Sequence, residues 1–259
     1  MEKFTQLIKI VETLRSPEGC PWDQKQNANS LLPYFIEELY EFISAVDSAN
    51  FLEMKKELGD LFLHVIFQGV LAEEKGDFTI EESLSAVSEK LIARHPHVFG
   101  DTDLSSNADM NYFWENQKRG EGRNSVLEGI PKELPALHRA LRIQDKASAV
   151  GFDWDDIRDV WQKIHEEADE MEIAAKDSNP DALEEELGDL LFSIVNVSRH
   201  LKINPENALR KANDKFIKRF QMIETELGQQ NRQIEDCTLS ELDQIWDRIK
   251  GKKHKEEEE

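Results

Sequence analysis

Cysteine is nearly missing from this chain: Cys20 and Cys237 are its only two, far apart in 259 residues. They form neither a CxxC metal pattern nor a disulfide framework, so a reducing compartment fits best. Long apolar runs are missing too. No stretch approaches the length of a bilayer span, and the opening "MEKFTQLIKIVETLRS" has no basic segment followed by an unbroken apolar core. These absences lead to the expectation of a cytoplasmic protein with no membrane partner. Positive charge is scarce, with 32 Lys+Arg against 53 Asp+Glu and a net charge of -21. Such a chain would repel a nucleic-acid backbone, so nucleic acid is not an expected partner. Nor is there any sustained two-residue alternation rich in β-branched side chains, which leaves a sheet without a source.

What the chain does have is helical periodicity. In "FTQLIKIVETLR" the residues Phe4, Leu7, Ile8, Val11 and Leu14 recur at spacings of three and four, placing them on one helical face. The same pattern runs through "LLPYFIEELYEFISAV", "KKELGDLFLHVIFQGVLAEE", "IRDVWQKIHEEADEMEIAAK" and "ALEEELGDLLFSIVNVSRHL". The fold class read from this is all-α. The least periodic stretch, "RGEGRNSVLEGIPKELPAL" at 119–137, is broken by three glycines and two prolines and reads as a linker. The end, "KGKKHKEEEE", reads as a solvated charge run.

An internal repeat organises the rest. Glu37, Glu38 and Glu41 are followed by Glu57 and Asp60; Glu166, Glu167 and Glu170 are followed by Glu186 and Asp189. All five acidic positions shift by the same 129 residues. "SEKLIAR" at 88–94 matches "NDKFIKR" at 213–219, setting Lys90 and Arg94 against Lys215 and Arg219. "FWENQKRG" at 113–120 matches "IWDRIKGK" at 245–252, aligning Trp114 with Trp246 and Lys118 with Lys250. The chain is therefore expected to hold two tandem helical modules, at 1–120 and 137–251, joined by a linker at 121–136 and ending in a charged tail at 252–259.

The repeated acids ask for a chemical reason. Glu38 and Glu41 are three apart, as are Glu57 and Asp60, so each pair projects from one face of its helix. The apolar neighbours Leu39, Phe42, Ile43, Leu61, Phe62 and Val65 place those faces near a bundle interior. Two such helices packed side by side bring four carboxylates together, and four like charges repel strongly unless a cation neutralises them. Oxygen-only ligation favours Mg²⁺ or Mn²⁺ over zinc or copper. A di-iron bundle would use Glu-x-x-His, which the chain lacks. Mg²⁺ works with phosphates, and Lys215 and Arg219, one turn apart, suit phosphate oxygens, although such a pair also occurs as a plain surface feature. Trp246 suits either a nucleobase or a core.

These residues resemble the MazG family of nucleoside triphosphate pyrophosphohydrolases, whose signature is Glu-Glu-x-x-Glu followed by Glu-x-x-Asp. The resemblance covers nearly the whole chain in tandem form, including "CPWDQKQ" and "EGIPKELPALHRALRIQDKASAVGFDW". It implies four-helix-bundle modules that form a homodimer, bind Mg²⁺ and cut a nucleoside triphosphate between the α- and β-phosphates. By this resemblance Glu167, Glu170, Glu186 and Asp189 are metal-binding and catalytic. Lys163, Glu166, Lys215, Arg219 and Trp246 would meet the nucleotide. Glu38, Glu41, Glu57 and Asp60 match as metal ligands of the first copy.

Two departures there favour the second copy as the main catalytic site: Tyr34 stands where Lys163 is expected, removing a cation, and Pro96 ends a helix early. Gly59 and Gly188 are expected to let helices approach closely. A related hydrolase of narrower specificity, for dUTP or phosphoribosyl-ATP, and a helical metal-binding scaffold without turnover remain the alternatives.

Overall fold

The structure, a computed structural model, describes residues 2–100, 125–177 and 179–256, with the side chains of 252–256 outside the description. Every regular element among the described residues is helical. The chain divides into two compact units, Met1–Ser106 and Asn107–Glu259. None of the described helices is long and apolar enough to cross a membrane.

The first unit contains α1 (Glu2–Arg15), α2 (Pro21–Gln24), α3 (Ala28–Asp47), α4 (Phe51–Lys75), α5 (Ile80–Arg94) and α6 (Pro96–Phe99). The apolar stripe of α1 lies on α4, where Val11, Leu31, Ile66, Phe67, Val70 and Leu71 form a core flanked by Phe4, Leu7 and Ile8. Helix α3 starts in a capping box between Asn27 and Ser30, and α5 in one between Thr79 and Glu82. Between them, α4 stops at Gly76, whose φ of 74° suits a residue without a Cβ. Gly69 is needed for contact instead: a Cβ there would lie 2.4 Å from Cγ1 of Ile80, so α4 meets the start of α5 only because that position is bare. Arg15 ties the end of α1 to the end of α4 and to α2, pairing with Glu74 and donating to the carbonyl of Asp23.

The second unit contains α7 (Ala136–Ser148), α8 (Ile157–Lys176), α9 (Pro180–His200), α10 (Pro205–Gln229), a 3-10 turn (Ile234–Asp236) and α11 (Leu239–Glu256). Helices α8 and α9 form a closely packed hairpin, as α3 and α4 do in the first unit. Helix α7 packs on α9, and Gln144 donates across to the carbonyl of Phe192 at 2.8 Å. The loop after α7 is pinned by Asp153, which pairs with Arg199 and His200 at the end of α9. Ile223, Leu227, Ile245 and Ile249 join α10 to α11 in a second core. In α7, the buried Lys146 donates to the carbonyls of Val126 and Glu128, fastening part of the expected linker to this unit. The backbone of α11 continues to Glu256, into the run read as a tail, because Lys and Glu are good helix formers.

The start of α11 supplies an acid-sensitive latch. Glu241 accepts from the backbone N–H and hydroxyl of Thr238 and from Arg232. The Thr238 N–H, then Arg232, hold its carboxyl at about 2, below the ordinary 4.5. A depressed carboxyl stabilises the fold fully above the unfolded value and loses that contribution as pH falls from 4.5 toward 2. Glu241→Gln should therefore flatten this part of an acid unfolding curve followed by helix circular dichroism; an unchanged curve would remove Glu241 from the latch.

Candidate metal centre

Both hairpins gather carboxylates. In the second unit, α8 presents Glu167 and α9 presents Glu186 and Asp189, with one oxygen from each lying within 4.8 Å of the others. Glu170, one turn beyond Glu167, stays outside this trio, although its charge reaches Glu186. In the first unit the trio is Glu38 and Glu41 from α3 with Glu57 from α4, gathered within the same 4.8 Å. Asp60 stays outside it and acts on Glu38 through its charge. The repeat thus brings together three of the four expected acids in each copy, and a different three each time.

Crowding shows in the acids' protonation. Burial, followed by the charges of Glu170, Glu167 and Asp189, pushes the carboxyl of Glu186 above its ordinary range. Glu38 is raised likewise by burial, with Glu57, Asp60 and Glu41 beside it. Glu57 is lowered instead, chiefly because Lys56 donates to it. Its Oε1 lies 2.8 Å from the Lys56 ammonium, and its Oε2 is buried with no hydrogen-bond partner.

Lys163 sits beside the second trio, its ammonium 2.6 Å from Glu167 and 2.8 Å from Glu166. Those two partners, Glu166 first, hold it protonated well above the ordinary lysine range. Arg219 on α10 and Trp246 on α11 lie together, with Lys215 one turn before Arg219 on α10. Arg219 stands 5.6 Å over the Trp246 ring, and Phe216 lies 5.1 Å from it. Among the described residues, neither Lys215 nor Arg219 makes an ion pair with the carboxylates. Trp246 also packs against the α10–α11 core. Trp114 and Lys118 lie outside the described residues.

Three readings of the sequence change. Tyr34 does stand at the place of Lys163, but the first trio is not without a cation beside it: the Lys56 ammonium on α4 lies 2.8 Å from Glu57, a residue visible in the sequence as the difference between "KKELGD" and "EEELGD". Gly59 and Gly188 do not mediate close approach among the described residues, since a Cβ at either would meet nothing of them within 4 Å. The faces beside the acids are only partly interior to the single chain: Phe42, Ile43 and Leu61 are half-buried, whereas Leu39, Phe62 and Val65 are exposed. Leu58, Phe62 and Val65, and their counterparts Leu187, Leu191 and Ile194, are each between 41% and 52% exposed. The early stop at Pro96 holds, leaving α5 with 15 residues against 25 in α10.

The model of the MazG nucleotide pyrophosphohydrolase domain matches residues 26–99 and 157–223, which are the two hairpins and the helices that follow them. A Thermotoga maritima protein named nucleoside triphosphate pyrophosphohydrolase/pyrophosphatase MazG is 49% identical over 96% of both chains. A nucleoside triphosphate pyrophosphohydrolase of Escherichia coli is 39% identical over 96% of this chain and 98% of its own. The Bacillus subtilis protein YabN is 40% identical over 96% of this chain and 52% of its own. With both acidic hairpins inside the matched segments and likeness running nearly end to end, the chain belongs to the MazG nucleotide pyrophosphohydrolase family.

Proposed function

We propose that this chain is a nucleoside triphosphate pyrophosphohydrolase that uses a divalent cation, Mg²⁺ or Mn²⁺, and works mainly through its second module. The observation that carries this reading is that the repeated acids gather into a carboxylate trio in each module, each with one buried member. The donor set suits a hard cation. It is all oxygen, its charges are crowded enough to raise Glu186 and Glu38, and the buried Oε2 of Glu57 has no hydrogen-bond partner. Glu167, Glu186 and Asp189, with Glu170 beside them, would hold the ion in the second module; Glu38, Glu41 and Glu57, with Asp60, would do so in the first. When bound, it would screen the triphosphate and make a water more acidic.

The side chains supply the rest. Lys163 rests on Glu166 and Glu167 and turns to phosphate oxygens when substrate arrives. Arg219 has a buried Nε with no hydrogen-bond partner among the described residues, a donor that would serve a phosphate oxygen, and its guanidinium carbon lies 5.6 Å from the centre of the Trp246 ring. Lys215 stands one turn before it, and Trp246 borders the base in this reading. An acid of the second cluster accepts the proton as water attacks the α-phosphorus. The bond to the β-phosphate breaks, giving a nucleoside monophosphate and pyrophosphate.

A homodimer completes the picture. Each hairpin offers two helices of a four-helix bundle, and the half-exposed positions beside the acids recur in both copies, as a face covered by a second chain requires. The two free cysteines suit the cytoplasm.

The test is to mix metal-free protein with a panel of nucleoside triphosphates that includes dUTP, add Mg²⁺, and measure pyrophosphate against orthophosphate. Pyrophosphate release that depends on the metal is expected. Orthophosphate as the product, or no release, would sink the reading, and activity confined to dUTP would narrow it.

A further inference from the structure

Each module buries one carboxylate of its trio, and in each the buried carboxylate carries a lysine. In the second module that acid is Glu167 on α8, 4% exposed, with Lys163 one turn earlier on the same helix at 2.6 Å. In the first it is Glu57 on α4, 2% exposed, with the Lys56 ammonium at 2.8 Å. These are not equivalent positions of the repeat. Tyr34 occupies the place of Lys163, and Glu185 the place of Lys56. The lysine and the burial have moved together from the first helix of the hairpin to the second. A solvated surface pair would have no reason to follow burial in this way, because its worth scarcely depends on which acid it meets.

We propose that Lys56 is the first module's counterpart of Lys163: a tethered ammonium that holds the buried carboxylate while the divalent cation is absent, and turns to a substrate phosphate oxygen once it binds. This rests on the reading of the acidic trios as metal sites. Oε1 of Glu57 faces a positive charge already, so an incoming cation and the ammonium compete for one carboxylate. The ammonium has somewhere to go. Its side chain is 62% exposed, with Glu53 at 3.9 Å as an alternative partner, so swinging away costs little desolvation. Tyr34 is engaged elsewhere, its ring 6.0 Å from that of Trp22 at an angle of 71°. The first site thus keeps a phosphate-seeking lysine despite losing the one its duplicate uses.

The test uses the full chain carrying Glu167→Gln and Asp189→Asn, so that bound metal reports on the first module. Free Mn²⁺ is counted by electron paramagnetic resonance, and binding of a non-hydrolysable α,β-methylene triphosphate is measured at saturating Mg²⁺. Adding Lys56→Met should tighten Mn²⁺ by up to about fivefold, the upper end for a partly exposed charge pair. It should weaken the triphosphate analogue at least about tenfold, as expected for a lost charged contact. Lys56→Arg should keep both values near those of the parent. Equal Mn²⁺ affinity in the Lys and Met forms, or unchanged analogue binding, overturns the proposal and leaves the metal reading standing. No Mn²⁺ bound by either form sinks both.

Discussion

Glu167→Ala should lower pyrophosphate release by about 100-fold or more, the scale for removing a group that stabilises charge in a reaction, whereas Glu38→Ala should leave most of it. The two residues occupy the same place in the repeat, so the difference tests the modules and not the motif. In the second module α10 runs for 25 residues and carries Lys215 and Arg219 in its middle; α5 stops after 15, at Arg94. A short helix leaves fewer positions from which to reach a triphosphate. The same variants separate chemistry from folding. Glu186 is held above its ordinary range, so its ionised form opposes folding, and this penalty grows as pH rises through the raised value. Glu186→Gln should therefore make the metal-free protein melt higher near neutral pH while shrinking the rise that Mg²⁺ gives the parent to the share that comes from the first module. Equal loss of activity from Glu167→Ala and Glu38→Ala would refute the preference for the second module.

A charge placed on the open face of the second hairpin should have a comparable effect on assembly. Leu191 is 45% exposed in the single chain, between Leu187 and Ile194 on the stripe that recurs in the first module. If a second copy covers it, Leu191→Asp loses about 0.7–1.4 kcal/mol of apolar burial per side chain and leaves a buried carboxylate without a partner, which costs about 1–3 kcal/mol more. A two-fold interface contains the change twice, so dissociation should rise by at least about 100-fold. Sedimentation velocity over a concentration series would show a dimer becoming a monomer. A variant with the parent's mass at every concentration, or a parent that is monomeric throughout, would place this face outside any interface. Gly188 sharpens the test, because a Cβ there meets nothing among the described residues. Gly188→Ala should stabilise α9 by about 0.8–1 kcal/mol if solvent lies over it, and should weaken the dimer if the partner's backbone does.

Much of this was legible in the residues themselves. The spacing of Phe4, Leu7, Ile8 and Val11 marks the face of α1 that meets α4, and the shared offset of the acids marks both hairpins. Periodicity reports that a helix has an apolar face; it does not report what covers it. Phe62 and Val65 accordingly read as interior, yet about half of each is open in one chain. Spacing also places acids on a face without ranking their depth. Which one is buried depends on the rotation of two helices about each other, so Glu57 in one copy and Glu167 in the other were not separable beforehand. Lys56 is visible as a difference between the copies, but comparing like positions gives no sign that its ammonium meets the buried acid, because Lys163 lies on the other helix of its hairpin. The linker assignment rested on glycine and proline content, which says nothing about a lysine twenty residues onward.

That lysine bears on how the chain can be divided. A fragment beginning at Leu137 would follow the composition of the sequence, but it would discard the carbonyls of Val126 and Glu128 to which the buried Lys146 ammonium donates. Each charged hydrogen bond lost inside the fold costs about 1.5–3 kcal/mol, a large share of what a module of this size has to spare. A self-sufficient second half therefore has to start upstream of Val126, and a weak or insoluble fragment cut at the later point would say more about the cut than about the module.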